Sequence, residues 1–241
     1  MVCDTNIWYW LSAGNISELE IQNKHLIGTF VTAQEFCSTY NIINNYKLYR
    51  EAVIAFNQRS SIVITETPIE YIKKLSGLDY SVNDGWEAFK ALEYIIDNEI
   101  LPSKELLLPH LDEYSNVGIE LNSKVMALKL DIQSKVSERG AYRRAMTTES
   151  AKAKHFEVTK NIIAQLVGSN NINWEAIDLF ISTFDEWLRQ LSIMTTLTIT
   201  PNDWSDIFNL VYVQPGDYYW SKDERKTKNF IKICGKSNYL I

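Results

Sequence analysis

An α/β fold with a central parallel sheet, interrupted by a large all-helical insertion, is predicted for this 241-residue chain by three features. Short β-rich runs near the start are each followed by apolar residues at helical spacing; the same alternation returns near the end; and the stretch between is helical in period and nearly free of glycine. The first run, Met1 to Asp4, is a very short strand, after which Ile7 to Leu11 form an apolar helical face. In "HLIGTFVTAQEFCSTYNII" the period changes: Leu26 to Val31 are strand-like, whereas Phe36, Tyr40 and Ile43 recur as on a helix. Thr32 and Glu35 fit a capping box that would begin that helix. A third strand is expected over Ile62 to Thr65, with Pro68 in the first turn of the next helix.

From Trp86 to Met194 the pattern is helical throughout, without internal repeats. Strand character returns after "PNDWSDIFNLVYVQ", a helix with Asn202 or Asp203 near its cap and Ile207, Leu210 and Val211 on one face. Tyr218 to Trp220 then form a strand, followed by a helix and a last short strand before "NYLI". Neither end has enough strands for a sheet of its own, so the two must share one. The expected organisation is a discontinuous α/β unit, residues 1–80 and 196–241, carrying a helical insertion at 81–195.

Composition narrows the class. With 46% hydrophobic and 22% charged residues the chain is of ordinary globular type, and its net charge of −6 argues against bulk electrostatic coating of nucleic acid. Cys3, Cys37 and Cys234 are widely spaced among apolar neighbours, the pattern of reduced thiols in a cytoplasmic protein. No stretch approaches the roughly 18 apolar residues of a membrane span, and no basic leader is present, so a soluble protein is expected. His25, His110 and His155 have no metal-ligand spacing, and Trp174 and Trp187 read as core. P-loop and dinucleotide glycine motifs are missing, no Ser-His-Asp arrangement stands out, and Asn6 replaces the second aspartate that an aspartate-nucleophile phosphatase usually has.

Acids fall just beyond the predicted strand ends, where open parallel sheets bind ligands: Asp4, Glu35, Asp206 and Asp223. Carboxylates brought together cannot all remain ionised without compensation, and a hard divalent cation is the usual compensating charge. Taken singly, Asp4 is equally explained as a helix cap, Glu35 as half of a capping box, and Asp223 as a turn residue. Asp203 competes with Asp206 on nearly the same helical face. A basic stretch, Lys222, Arg225, Lys226, Lys228 and Lys232, adjoins Asp223, and a second contains Arg143 and Arg144 with Tyr142 beside them. Each is either a solvated helix face or a set of phosphate contacts.

"CDTNIWYWL", "FVTAQEF" and "NDWSDIFNLVYVQPGDYYWSKDERKTKNFIK" together resemble the PIN domain family of metal-dependent nucleases, over the first ~75 and last ~45 residues. That resemblance implies a PIN-like three-layer α/β/α fold, here with a long helical insertion. It assigns Asp4, Glu35, Asp206 and Asp223 to catalysis and to a Mg²⁺ or Mn²⁺ site, supported by Thr5, Asn6, Ser221 and Asp203. It also implies an endoribonuclease; in that reading the basic runs, Lys222, Arg225, Lys226 and Lys228 with Arg143 and Arg144, are the candidate contacts for substrate phosphates. Single-stranded DNA is the alternative substrate, and a homodimer is compatible with the family. In bacterial toxin–antitoxin pairs of this kind an inhibitory protein partner silences the nuclease. A non-catalytic member that binds a protein through its helical block is the alternative of another class.

Overall fold

The computed structural model describes residues 1–241 except 82–85, 102, 106, 109–110, 112–122, 124–126, 128–145, 195, 198–199 and 224–226. Four short strands form one sheet: β1 (Val2–Cys3), β2 (Ile27–Thr29), β3 (Ile62–Ile64) and β4 (Tyr219–Trp220). Their order is β3-β2-β1-β4 and every pairing is parallel. Both ends of the chain therefore do share a sheet, with Val2 registered on Ile27 at one side and on Tyr219 at the other.

A strand of two residues survives because it is hydrogen-bonded on both flanks. Val2 N–H donates to the Tyr218 carbonyl at 2.8 Å, Ile27 N–H to the Met1 carbonyl at 2.8 Å, and Asp4 N–H to the Trp220 carbonyl at 2.9 Å. Val2 and Cys3 are fully buried. An all-parallel sheet covered on both faces is expected to consist of such uniformly apolar strands.

Helices α1 (Thr5–Ser12), α3 (Phe30–Ser38), α4 (Asn41–Asn44), α5 (Tyr46–Arg59) and α7 (Trp86–Asp97) pack among themselves; a short α2 (Glu18–Ile21) lies on the α1–β2 connection. Helices α6 (Pro68–Leu75), α8 (Glu149–Val167), α9 (Asp178–Ile193), α10 (Pro201–Asn209) and α11 (Thr227–Ile233) form a second set. This is an α/β arrangement consistent with three layers. Trp8 meets Phe56 edge-on at 5.3 Å in the first set, and Trp187 meets Trp204 edge-on at 4.8 Å in the second. The described helices of the insertion join this core: Ala88, Leu92 and Ile95 of α7 and Phe180, Phe184 and Trp187 of α9 are buried in it. Among the described residues no helix is long and apolar enough to cross a membrane.

Several sequence expectations shift in register. Strand β2 ends at Thr29, two residues before the expected limit of Val31, and Thr29 rather than Thr32 caps α3, accepting from Thr32 N–H at 3.2 Å. The Thr32–Glu35 box does not form because Thr32 already lies within the helix. The predicted helix through Ile43 breaks at Thr39, whose backbone is extended. Thr200 caps α10, and Asp203 is its third-residue partner, not the cap. In place of a final strand there is a 3₁₀ turn at Ser237–Tyr239 and a single bridge, Leu240 to Tyr219.

Gly28 lies where β2 meets α5. A Cβ there would come within 2.6 Å of Phe56 Cε2 and 2.7 Å of Ser60 Oγ, contacts that the buried phenylalanine cannot relieve without moving. Gly28→Ala is expected to destabilise the fold by about 1–3 kcal/mol, read from the shift of the urea unfolding midpoint at unchanged slope.

Candidate functional site

The chain winds from β1 to β2 and β3 on one side of the sheet, then crosses to place β4 on the other side of β1. That reversal opens a crevice at the carboxyl ends of β1 and β4, the position at which open α/β sheets bind ligands. The cavity found there has a volume of about 730 Å³, and Asp4, Glu35, Asp203, Asp206 and Asp223 all line it.

Asp4 follows β1 directly and occupies the N-cap position of α1, yet its carboxylate makes no capping hydrogen bond. The carboxylate instead accepts from the Ser221 hydroxyl at 2.7 Å and from the Asn6 amide at 3.4 Å. Ser221 in turn accepts from Asp223 N–H at 3.0 Å, so the β4 loop is tied to the β1 loop through one buried hydroxyl. Glu35, in the second turn of α3, accepts a hydrogen bond from the Thr5 hydroxyl. Asp206, in α10, accepts from Thr227 Oγ at 3.4 Å.

Their acidities reflect the crowding. Burial raises the Asp4 carboxyl above the usual range, and the Asp223 charge adds to the effect. Glu35 is pushed up to about 8 by burial and then by Asp4. Asp206 is pushed up to about 9 by burial, then by Asp4, Glu35, Asp203 and Asp223. Strong mutual perturbation of groups from separate elements is characteristic of functional sites. Among the described residues no three His, Cys, Asp or Glu side chains are already drawn into a metal-holding group. Asp4, Glu35 and Asp206 each engage a neighbouring hydroxyl instead.

Asp203 is buried and largely committed to structure. Its carboxylate accepts from Thr200 N–H at 2.6 Å and from the Thr200 hydroxyl at 2.9 Å. This resolves the competition between the two acids of α10 in favour of Asp206 as the more available. Of the predicted phosphate contacts, Lys222 is exposed beside the cavity, whereas Lys228 is buried with its ammonium 3.5 Å from the Ile241 carbonyl. Its register on α11 turns Lys228 inward, against the solvent-facing role expected of it. Arg143, Arg144, Arg225 and Lys226 lie outside the described residues.

A set of polar groups beneath the carboxylates was not anticipated. Thr29 Oγ donates to Asn209 Oδ1 at 2.7 Å; the Asn209 amide and the Thr32 hydroxyl each donate to the Cys3 carbonyl at 3.4 Å. These residues are buried and join β1, β2 and α10 one layer below the site. The available signal was a polar residue three positions after Asp206, inside an otherwise apolar run. Tyr9, Ser38, Thr39, Tyr40, Asn41, Thr200 and Asn202 also line the cavity. No protein-family model, curated protein or solved structure matches this chain.

Two outcomes follow from this geometry. Asn209→Ala removes the 2.7 Å acceptor of the Thr29 hydroxyl and a donor to the Cys3 carbonyl, and should cost about 1–3 kcal/mol in chemical unfolding. Because the folded pKa values of Glu35 and Asp206 lie above their unfolded values, the folded chain holds protons that the unfolded chain has released. Their effect is neutral below about pH 4 and increasingly unfavourable as pH rises towards 8 and 9. Asp206→Asn should therefore raise stability by about 0.5–2 kcal/mol at pH 8 and flatten its decline with pH, as measured by thermal melts across pH 4 to 9.

Proposed function

We propose that this chain is a PIN-like nuclease, dependent on Mg²⁺ or Mn²⁺, that hydrolyses phosphodiester bonds in RNA. The observation that carries this reading is the convergence of Asp4, Glu35, Asp206 and Asp223 from four elements on one crevice at the sheet's reversal point. The donor set fits a hard cation: among its described lining residues are carboxylates, hydroxyls and amides, with neither histidine nor cysteine. Asp4, Asp206 and Asp223, with Glu35 directly or through water, would hold the ion. When bound, such an ion supplies charge compensation for the carboxylates, activation of water and stabilisation of the departing oxygen.

The remaining work falls to the chain. Ser221 and Asn6 fix the orientation of Asp4, and Thr5 does the same for Glu35. Lys222, exposed at the rim, supplies a phosphate contact beside an otherwise acidic cavity. The resemblance adds the expected polarity, products with a 3′-hydroxyl and a 5′-phosphate.

A second reading, an interaction protein that docks a partner through its helical block, draws on α8. Val158, Ile162 and Leu166 recur there at four-residue spacing and are 56%, 37% and 56% exposed. Both readings permit an inhibitory partner, but only the first requires divalent-ion chemistry. Asp4→Asn should abolish cleavage of a labelled single-stranded RNA in Mg²⁺ or Mn²⁺ while circular dichroism stays unchanged, and calorimetry should lose the divalent-ion binding of the unsubstituted chain. Undiminished cleavage by this variant, or no ion binding by the unsubstituted chain, refutes the nuclease assignment.

A further inference from the structure

The chain is acidic and its candidate site concentrates carboxylates, so a polyanionic substrate needs a cationic approach close to the cavity. One cluster meets that need. Lys222 lies between Ser221, which donates to Asp4, and Asp223, which lines the cavity. Its ammonium sits 5.7 Å from the centre of the Trp10 ring and 5.8 Å from that of Trp220. Lys24 places a second ammonium 4.9 Å from the same Trp220 ring. The nearby carboxylate, Glu20, is occupied at the cap of α2, where Ser17 N–H donates to it at 3.0 Å. The acidity of Glu20 is strengthened by that bond first, and also by Lys222 and Lys24, so both cations do face one small area.

Trp10 differs from the other tryptophans that line the core. Trp8, Trp187, Trp204 and Trp220 are 0%, 2%, 7% and 3% exposed, whereas Trp10 is 42% exposed. It lies on α1 six residues after Asp4, about 9 Å along the helix axis at 1.5 Å per residue. Part of the Trp10 indole is open to water beside the Lys222 ammonium, and every nucleobase offers a complementary flat surface. Lysine contacts with an exposed ring are weak and are readily exchanged for a phosphate.

We propose that Trp10, Lys222 and Lys24 form a substrate subsite for single-stranded nucleic acid, in which a base stacks on Trp10 while the two lysines contact phosphates of the strand leading to the carboxylate crevice. This rests on the nuclease reading and deepens it: the substrate must be single-stranded at this position, because a paired base cannot offer its face to the indole. Trp10 and the lysines are positioning groups: they hold the strand leading to the crevice and are not among the carboxylates proposed to hold the ion.

The test uses the full chain carrying Asp206→Asn, so that the probe stays intact, titrated with a fluorescein-labelled single-stranded RNA dodecamer, the matching DNA strand, and a duplex of the same length. Fluorescence anisotropy is followed over a series of salt concentrations. Trp10→Ala should weaken binding of the single strands about tenfold and leave the duplex unaffected, and Trp10→Phe should recover most of the loss. Lys222→Gln should reduce the slope of log affinity against log salt by about 0.7, the share of one phosphate contact on a single strand. Single-strand affinity within twofold of the parent for Trp10→Ala, an unchanged slope for Lys222→Gln, or no binding of single strands by the parent overturns the subsite. If the chain with Asp206 intact cleaves RNA and Trp10 has no effect, the subsite fails and the nuclease reading stands. If single strands bind in a Trp10-dependent way and nothing is cleaved, the subsite stands and the nuclease reading fails.

Discussion

Carboxyl groups buried at close quarters are the constraint on which the arrangement of the site depends. Asp4, Glu35, Asp206 and Asp223 come from four elements, and burial together with neighbouring carboxylates raises the pKa of each of the first three. Left to themselves the carboxylates would separate into water, so the backbone must hold them. It does so through pairings with little slack: Asp4 N–H is fixed to the Trp220 carbonyl on one side, and the Ser221 hydroxyl bridges Asp4 to the Asp223 backbone on the other. A two-residue strand is sufficient to carry a site residue when both of its neighbours and the loop of one of them bind it.

The layer beneath the acids explains how helix and sheet keep their relative setting. Thr29, Thr32 and Asn209 are buried, and their hydrogen bonds converge on one another and on the Cys3 carbonyl, immediately before Asp4. A buried polar network with its partners in place favours one arrangement over the near-isoenergetic alternatives that a purely apolar contact permits. Asn209 lies three residues after Asp206, so the contact that anchors the end of α10 fixes the helix turn next to the one that carries the acid.

Sequence pattern revealed the order of elements, the shared sheet and the identity of the converging acids, because each depends on local period and on residues at strand ends. It did not separate near-equivalent choices three residues apart. The pattern puts the cap at Thr32; Thr29, three residues earlier, takes that place because β2 ends there and its side chain accepts from Thr32 N–H. Glu35 is thereby released from capping and turned towards Thr5. At α10 the outcome is reversed: the helix begins at Pro201, Asp203 becomes the capping partner, and Asp206 faces the crevice. Lys228 was misread for a related reason, since a run of basic residues does not disclose which of them a short helix will turn inward. The hydrogen bonds of Asn209 join partners 180 and 206 residues away, a relation no window along the chain can display.

The insertion acquires a role in this account that its helical period alone did not suggest. Helix α9 stacks Phe180 on Phe208 and sets Trp187 edge-on to Trp204, so it packs on the side of α10 opposite the acids. Aromatic pairs of this kind contribute about 0.5–1.5 kcal/mol each beyond the area they bury, and several act on the same short helix. This nine-residue helix carries Asp203 and Asp206 at the acidic crevice, and Trp204 and Phe208 of the same helix are held in a ring stack with α9. The described part of the insertion thus packs against the helix that carries Asp206, joining the core of an α/β frame whose strands are short.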